Sequence, residues 1–529
     1  ILVETKSGKE GKASVNYKFK MGVNFARKGY DFCDAHDYIY YNRLGYKRTG
    51  RTNVDTQMGY GIGNNLFDIR YLTDENANLK NEGWASMADP FYDGKTILYK
   101  DYSGELDDVV FNNSALTQDH YVNITGGNDK GTFSASLGYY LEDGQIRGTG
   151  YERFNGALNG SYKVFPFLTV KANATYSWST QPELWIGQYE FFYRTRSQRP
   201  TWNPWNEDGT PASGFGTGDG NPDYYRDKLT SENSTNKSTY SVGFALDILP
   251  KKLVLNGNAS LYRYDWQREK FNKSYQESSA TPDNTRQAEA YVQKYNQIQL
   301  NGTLTYTDTF AEKHNLEAML GTEYFTYDQF DFEAKTQNSP TDDIPTLNAG
   351  STRTYTSTTK TAYRILSGFG RINYNYDMRY LISFVARYDG ISKLKDNRWG
   401  FFPGVSVGWN IMEERFWKDS KISGVISNLK PRLSYGVNGN VNGIGNFDVY
   451  GAYSQVGAKT YGGSTAFYNS GLVNTGLRWE QSQSFEAGLD IGFLNNRLSF
   501  ILDYYNRTTK DLLTKQALPG YTGFTEIMT

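Results

Sequence analysis

Between residues 179 and 237 the chain concentrates side chains that bind by stacking. Trp185, Tyr189, Phe191, Phe192, Tyr193, Trp202, Trp205, Tyr224 and Tyr225 all fall in this segment. An open aromatic ring stacks on a sugar face by covering its C–H surface, and a nearby amide or carboxylate bonds the hydroxyls. Asn203, Asn206, Glu207 and Asp208 sit beside the rings. Trp185, Tyr189, Phe192, Tyr193, Trp202, Trp205 and Tyr224 are therefore the candidate ligand-binding rings. The same residues would equally suit a loop packed on itself, a surface that meets a partner, or a girdle at a membrane interface.

Other chemistry is weaker. Arg194, Arg196 and Arg199 could pair with a carboxylate, although lipopolysaccharide phosphates or solvent suit them better. Asp208, Asp219 and Asp223 lie in a Gly-rich stretch and could offer oxygens to Ca²⁺, but the EF-hand spacing is absent and an unliganded loop is the favoured reading. Cys33 is the only cysteine, and His36, His120 and His314 lie far apart. No metal site is expected from them. Gly59-Tyr-Gly-Ile-Gly63 lacks the spacing of a dinucleotide fingerprint. The sequence has no Gly-Xaa-Ser-Xaa-Gly elbow, phosphate-binding loop or His-Glu-Xaa-Xaa-His. No catalytic residue and no cofactor are therefore assigned, and the chain is not expected to be an enzyme. A glycosidase stays open on this ground alone, because its two carboxylates need no local motif.

The elements that would carry these residues follow from composition and period. Of 529 residues, 56 are Lys or Arg and 57 are Asp or Glu, giving a net charge of -1. That balance argues against a nucleic-acid binder, which needs a basic surface. Mean hydropathy is -0.66, and no apolar run approaches the roughly 18 residues of a helical span. A membrane β-barrel survives this test, because its strands alternate. Forty-four Tyr and 53 Gly against 14 Pro suit a strand-rich protein with rings at an interface.

Residues 13–25 alternate without a break, with Ala13, Val15, Tyr17, Phe19, Met21, Val23 and Phe25 on one face. The pattern recurs at 131–142, 168–178, 238–248 and 298–306, opposite Ser, Thr, Asn, Gln and Lys. Such runs exceed a usual soluble strand of about five or six residues and match the roughly 9–11 needed to cross a bilayer at a tilt. About fifteen strands are read. Short links near 127–130, 164–166, 249–252, 308–314, 377–378 and 494–496 alternate with long ones near 26–118, 179–237, 267–286, 331–360 and 439–477. The links at 143–152 and 391–400 are intermediate, and 414–427 is a long one on the short side. Short turns at one rim and long loops at the other are the arrangement of outer-membrane barrels. Within the first long link, 34–48 reads as a helix capped by Asp34, and within the second, 206–223 reads as loop. The strand tyrosines, with Trp399 and Trp409, read as interface anchors.

Ordered blocks then carry a family resemblance. These are Asn-Ile-Thr-Gly-Gly at 123–127, His-Asn-Leu-Glu-Ala-Met-Leu-Gly at 314–321 and Val-Ala-Arg-Tyr-Asp-Gly-Ile-Ser at 385–392. Arg-Trp-Gly-Phe-Phe-Pro-Gly-Val-Ser-Val-Gly-Trp at 398–409, Leu-Arg-Trp-Glu at 477–480 and Asp-Tyr-Tyr-Asn-Arg-Thr-Thr-Lys-Asp-Leu-Leu at 503–513 continue the series. The chain resembles the SusC/RagA-type TonB-dependent transporters of Bacteroidota outer membranes over nearly its whole length. Ile391 stands where the family usually has Ser.

The resemblance implies an all-β fold: a transmembrane antiparallel β-barrel with long extracellular loops, of 22 strands in a whole family member. Residues 1–11 would close a plug domain and 12–529 would form the barrel, with the signal, most of the plug and the C-terminal strands outside this chain. It implies active import of oligosaccharides or peptides across the outer membrane. The implied partners are a SusD-like surface lipoprotein acting as a lid, TonB engaging the N-terminal segment, and outer-membrane lipid, with no nucleic acid. SusC-like complexes are often dimers of transporter–lid pairs. The alternatives are a passive porin or structural barrel, and a soluble β-rich carbohydrate-binding protein.

Overall fold

The two-residue alternation continues through one fifteen-stranded sheet. The computed structural model describes residues 8, 10–26, 32–58, 67–184, 193, 195, 197–213, 220–276, 282–469 and 471–529. The strands of this sheet are β1 (Gly11–Asn24), β2 (Ala115–Gly127), β3 (Gly131–Asp143), β4 (Gly150–Phe165), β5 (Leu168–Thr180), β6 (Leu229–Leu249), β7 (Leu253–Asn272), β8 (Ala288–Phe310), β9 (His314–Gln337), β10 (Thr352–Tyr376), β11 (Tyr380–Ile391), β12 (Trp399–Trp409), β13 (Ile426–Asn440), β14 (Glu480–Phe493) and β15 (Leu498–Lys510). Each pairs antiparallel with the next in chain order. The result is an up-and-down meander with β1 and β15 at its two edges among the described residues.

Turn chemistry explains why consecutive strands meet. Ala311 and Glu312 are both left-handed, with φ of 47° and 59°, as are Asp377 and Met378, at 52° and 57°. Two successive left-handed residues give a tight hairpin turn whose twist matches the strands it joins. Long connections at 25–114, 181–228, 273–287, 338–351 and 441–479 occupy the opposite rim. The predicted alternation of link lengths is thus present, including the longer connection at 410–425 on the short-turn side.

Among the described residues, no second layer covers the apolar face. Val15, Phe19 and Met21 of β1, Phe133 and Leu137 of β3, Tyr240, Val242 and Phe244 of β6, and Ile298 and Leu300 of β8 are all exposed. In water such a face would collapse onto another sheet, whereas in hydrocarbon it is already in its preferred solvent. Strands β6 to β10 hold 21, 20, 23, 24 and 25 residues, about twice what a bilayer requires. Toward the long-loop rim their outward face turns polar: Asp265 pairs with Lys294 at 3.2 Å and Asp328 with Arg364 at 2.7 Å.

This orientation makes a direct prediction. Leu137→Arg places a charge in the middle of the lipid face and should cost about 2–4 kcal/mol. Ser136→Arg, one residue away on the opposite face, should cost little. Urea unfolding of the refolded barrel in lipid vesicles measures both, and equal losses would contradict the assignment of faces.

Among the described residues, the largest buried apolar cluster lies in the long-loop rim. Helix α1 (Ala35–Thr49) is capped by the Asp34 carboxylate, which accepts from the Asp37 N–H at 2.8 Å, and ends at Gly50 with φ 68°. Its buried face carries Ala35, Ile39 and Arg43 at helical spacing. It packs with Val54, Ile69, Ile97 and Tyr99. Ile69 and the last two belong to a three-stranded sheet of Ile69–Tyr71, Thr96–Tyr99 and Ala85–Ala88. The helix was legible in the sequence; the small sheet was not, because strands of three or four residues carry no measurable period.

Candidate functional site

Four of the seven predicted loop rings lie among the described residues. Trp185, Tyr189 and Phe192 lie outside the described residues, as do Arg194, Arg196, Asp219 and residues 59–63. Tyr193 is exposed. Trp202 is only 2% exposed and packs in the cluster around α1. Its faces are covered, so the expectation of an open stacking ring is corrected for this residue: it is a packing group. Trp205 is partly exposed, and its indole N–H donates to Glu105 Oε2 at 3.0 Å. The Tyr224 hydroxyl accepts from the Gln276 N–H at 2.9 Å, and the Lys228 ammonium lies 5.0 Å from its ring centre. Arg199 covers the Phe67 ring at 5.0 Å.

The candidate calcium oxygens are used locally. Asp208 accepts from the Thr210 hydroxyl at 2.6 Å and the Thr210 N–H at 3.0 Å. Those two bonds hold its carboxyl below the usual carboxylate range. Asp223 accepts from Arg226 Nε at 2.5 Å.

A second set of rings, outside the predicted ligand-binding set, comes together on the inner wall. Tyr262 and Tyr264 of β7 alternate with the outward Leu261, Tyr295 of β8 with Ile298, and Tyr327 of β9 with Tyr324. The register places Tyr264 opposite Tyr295 and Tyr327 opposite Tyr363 of β10. Ring centres are 4.6 Å apart for Tyr264–Tyr295, 5.9 Å for Tyr262–Tyr295, 5.4 Å for Tyr295–Tyr327 and 5.1 Å for Tyr327–Tyr363. A continuous row of half-buried phenols thus crosses four strands at one level. These tyrosines correct the expectation that the strand tyrosines are interface anchors, because parity turns them toward the lumen. The sequence did hold the signal: they occupy the even positions of β7 and the odd positions of β8 to β10, opposite the apolar face.

The row has polar company. The amides of Gln293, Gln297 and Gln329 share its face. Gln329 Nε2 donates to Asp331 Oδ2 at 2.7 Å, and the Tyr327 hydroxyl donates to Gln329 Oε1. Toward the long-loop rim, Trp266 lies 4.9 Å from Tyr291 and donates to Asn233 Oδ1 at 2.6 Å. Above them, Lys335 reaches Glu289 at 3.1 Å and Glu333 at 2.9 Å, Lys270 reaches Glu183 at 3.2 Å, and Arg268 pairs with Glu289. At the far end of the row the Lys393 ammonium sits 4.9 Å from the Tyr363 ring centre and donates to the Ile444 carbonyl at 3.2 Å. Burial pushes that ammonium below its ordinary value.

Membrane-length antiparallel strands, apolar outside and lined by amides, phenols and ion pairs inside, form the wall of a transmembrane β-barrel. The comparisons with known proteins agree and are more specific. The family model described as TonB dependent receptor-like, beta-barrel, matches residues 183–526, and the chain belongs to that family.

TonB-dependent receptor SusC of Bacteroides thetaiotaomicron is 26% identical over 569 residues, covering 100% of this chain and 50% of that protein. TonB-dependent receptor P39 of Formosa agariphila is 28% identical over 456 residues, covering 81% and 42%. The chain spans about half the length of the curated relatives it matches. Among solved structures, the RagAB peptide transporter superposes with a TM-score of 0.77 at 21% identity, covering 99% of this chain and 57% of that one. The chain thus forms barrel wall of an outer-membrane TonB-dependent receptor, with SusC a relative along its full length.

Proposed function

We propose that this barrel belongs to a TonB-driven importer of oligosaccharides, with a SusD-like lipoprotein as lid. The assignment of residues 1–11 to the end of a plug falls mostly outside the described residues; the strands from Gly11 onward form the wall the substrate passes. The observation that carries the substrate class is the row from Tyr262 to Tyr363 with its amides, because phenols and amides bond sugar hydroxyls without requiring charge. Tyr193, Trp205 and Tyr224 in the crown are the remaining described candidates for first contact.

Peptides are the second reading. The charges of Arg268, Lys270, Lys335, Glu183 and Glu289 near the rim favour it, since a peptide brings termini and ionised side chains. Deleting the gene for the whole receptor should abolish growth on one polymeric glycan and spare growth on its monomer. Loss on a peptide source alone would favour the second reading. Unchanged growth on every polymer would overturn both, and import that persists without TonB would favour a passive barrel.

A further inference from the structure

At the short-turn rim the connection 410–425 stands apart. It carries two 3₁₀ turns, Ile411–Glu413 and Lys421–Gly424, and a helical turn, Arg415–Lys418, where its neighbours are tight hairpins. Its position is fixed by Glu414, which is buried. The Glu414 carboxylate accepts from the Tyr380 hydroxyl at 2.7 Å, the Trp409 indole N–H at 3.1 Å and Arg379 NH1 at 3.4 Å. Tyr380 and Trp409 share the outward face with Ile382, Phe384, Val405 and Val407, all exposed. Their bonds to Glu414 therefore hold the connection against the lipid side of the rim.

The rings agree. His314 and Tyr376 lie 4.8 Å apart, Tyr376 and Tyr380 6.2 Å, Tyr380 and Trp409 6.3 Å, and Trp409 and Phe416 6.5 Å. Phe416 thus continues an unbroken outward girdle. Phe416 is 60% exposed, Ile422 53% and Val425 54%. Among these apolar side chains lie Arg415 and Lys421, while Lys418 pairs with Glu413 at 2.6 Å. Large apolar groups interleaved with cations, level with an aromatic girdle, are the composition of a segment lying in a headgroup layer.

We propose that residues 410–425 are a foot embedded in the inner leaflet of the outer membrane, with a phospholipid surface as its partner. Phe416, Ile422 and Val425 enter the acyl boundary, while Arg415 and Lys421 meet headgroup phosphates. The foot fixes the height of the wall at β11 to β13 against the leaflet.

The test uses the whole receptor in phosphatidylethanolamine–phosphatidylglycerol vesicles, in a Cys33→Ser background. An environment-sensitive fluorophore on Ile422→Cys is compared with one on Lys251→Cys, at the tip of an ordinary turn. The expected result is a blue-shifted label at 422, quenched severalfold more by a headgroup-level lipid quencher than the label at 251, and severalfold less by aqueous iodide. Equal behaviour at the two sites would overturn the proposal. So would shielding at 422 that disappears when periplasmic proteins are washed away, since a soluble partner would then be the occupant. Phe416→Ser with Val425→Ser, in an Ile422→Cys barrel that still migrates as folded on unheated gels, should lower the partition of the label at 422 toward lipid. No change in that variant would also count against the foot.

Discussion

Arg43→Met should unfold the unit that carries α1 while leaving the barrel intact. The guanidinium is 1% exposed and holds three groups together. Nε donates to Asp89 Oδ1 at 2.8 Å and NH2 to Asp89 Oδ2 at 2.6 Å, NH1 donates to Asp55 Oδ1 at 3.0 Å, and NH2 donates to the Tyr71 hydroxyl at 2.7 Å. Helix, small sheet and connecting loop meet at this one cation. Removing it leaves the Asp89 carboxylate buried without a counter-charge, an error worth about 3–5 kcal/mol. A unit built on one helix and three short strands has little surplus to absorb that loss. Hydrogen exchange in the purified receptor should show α1 losing protection, while folded-barrel migration on gels stays unchanged. Arg43→Met with Asp89→Leu should recover much of the loss, because the orphaned charge goes too. Failure of the double variant to recover would assign the effect to lost packing.

The pH dependence has a definite sign. Burial pushes the Asp89 carboxyl up, but the Arg43 hydrogen bond and the Phe91 N–H outweigh it and hold the carboxyl below its ordinary 3.8. A depressed carboxyl stabilises the fold fully above the unfolded value, and that contribution is lost as pH falls through the folded one. Protection of α1 should therefore be flat through neutral pH and fall only in acid below the ordinary Asp range.

The wall was legible because its physics is local. Alternation along residues 13–25 reports which solvent each face meets, and link lengths report which rim is which, so fifteen strands and their order followed from the chain itself. The helix at 34–48 was legible because Asp34 and the apolar spacing act within a few residues. What resisted reading depends on register. Trp202 looks like any loop tryptophan until α1 and Ile69–Tyr71 close over it, and that closure joins segments more than a hundred residues apart. Tyr264, Tyr295, Tyr327 and Tyr363 become a row only when four hairpins lock at one register, although their parity already marks each as inward. The foot at 410–425 was visible as an unusual length on the short side; its attachment to the lipid face depends on Glu414, whose partners are set by the fold.

Tyr295→Ala should weaken substrate binding more than any other single change on the inner wall. Tyr295 is the hinge of the row, in ring contact with Tyr262, Tyr264 and Tyr327, so its loss splits one surface into two. Truncating a central ring in such a surface typically costs about 2 kcal/mol, a rise of roughly 30-fold in Kd. The fold should tolerate it, because the outward side of β8, with Ile298 and Leu300, is untouched and the backbone ladder to β7 and β9 does not depend on the ring. Tyr295→Phe separates two roles: near-normal affinity means the ring surface binds, and a loss equal to that of alanine means the hydroxyl does. Leu300→Ala, on the lipid side of the same strand, controls for a general weakening of β8. Calorimetry with the glycan that supports receptor-dependent growth reads all three. If Tyr295→Ala binds it as tightly as the parent, the row is a structural brace and the substrate is held elsewhere, most simply by the crown rings at Tyr193, Trp205 and Tyr224.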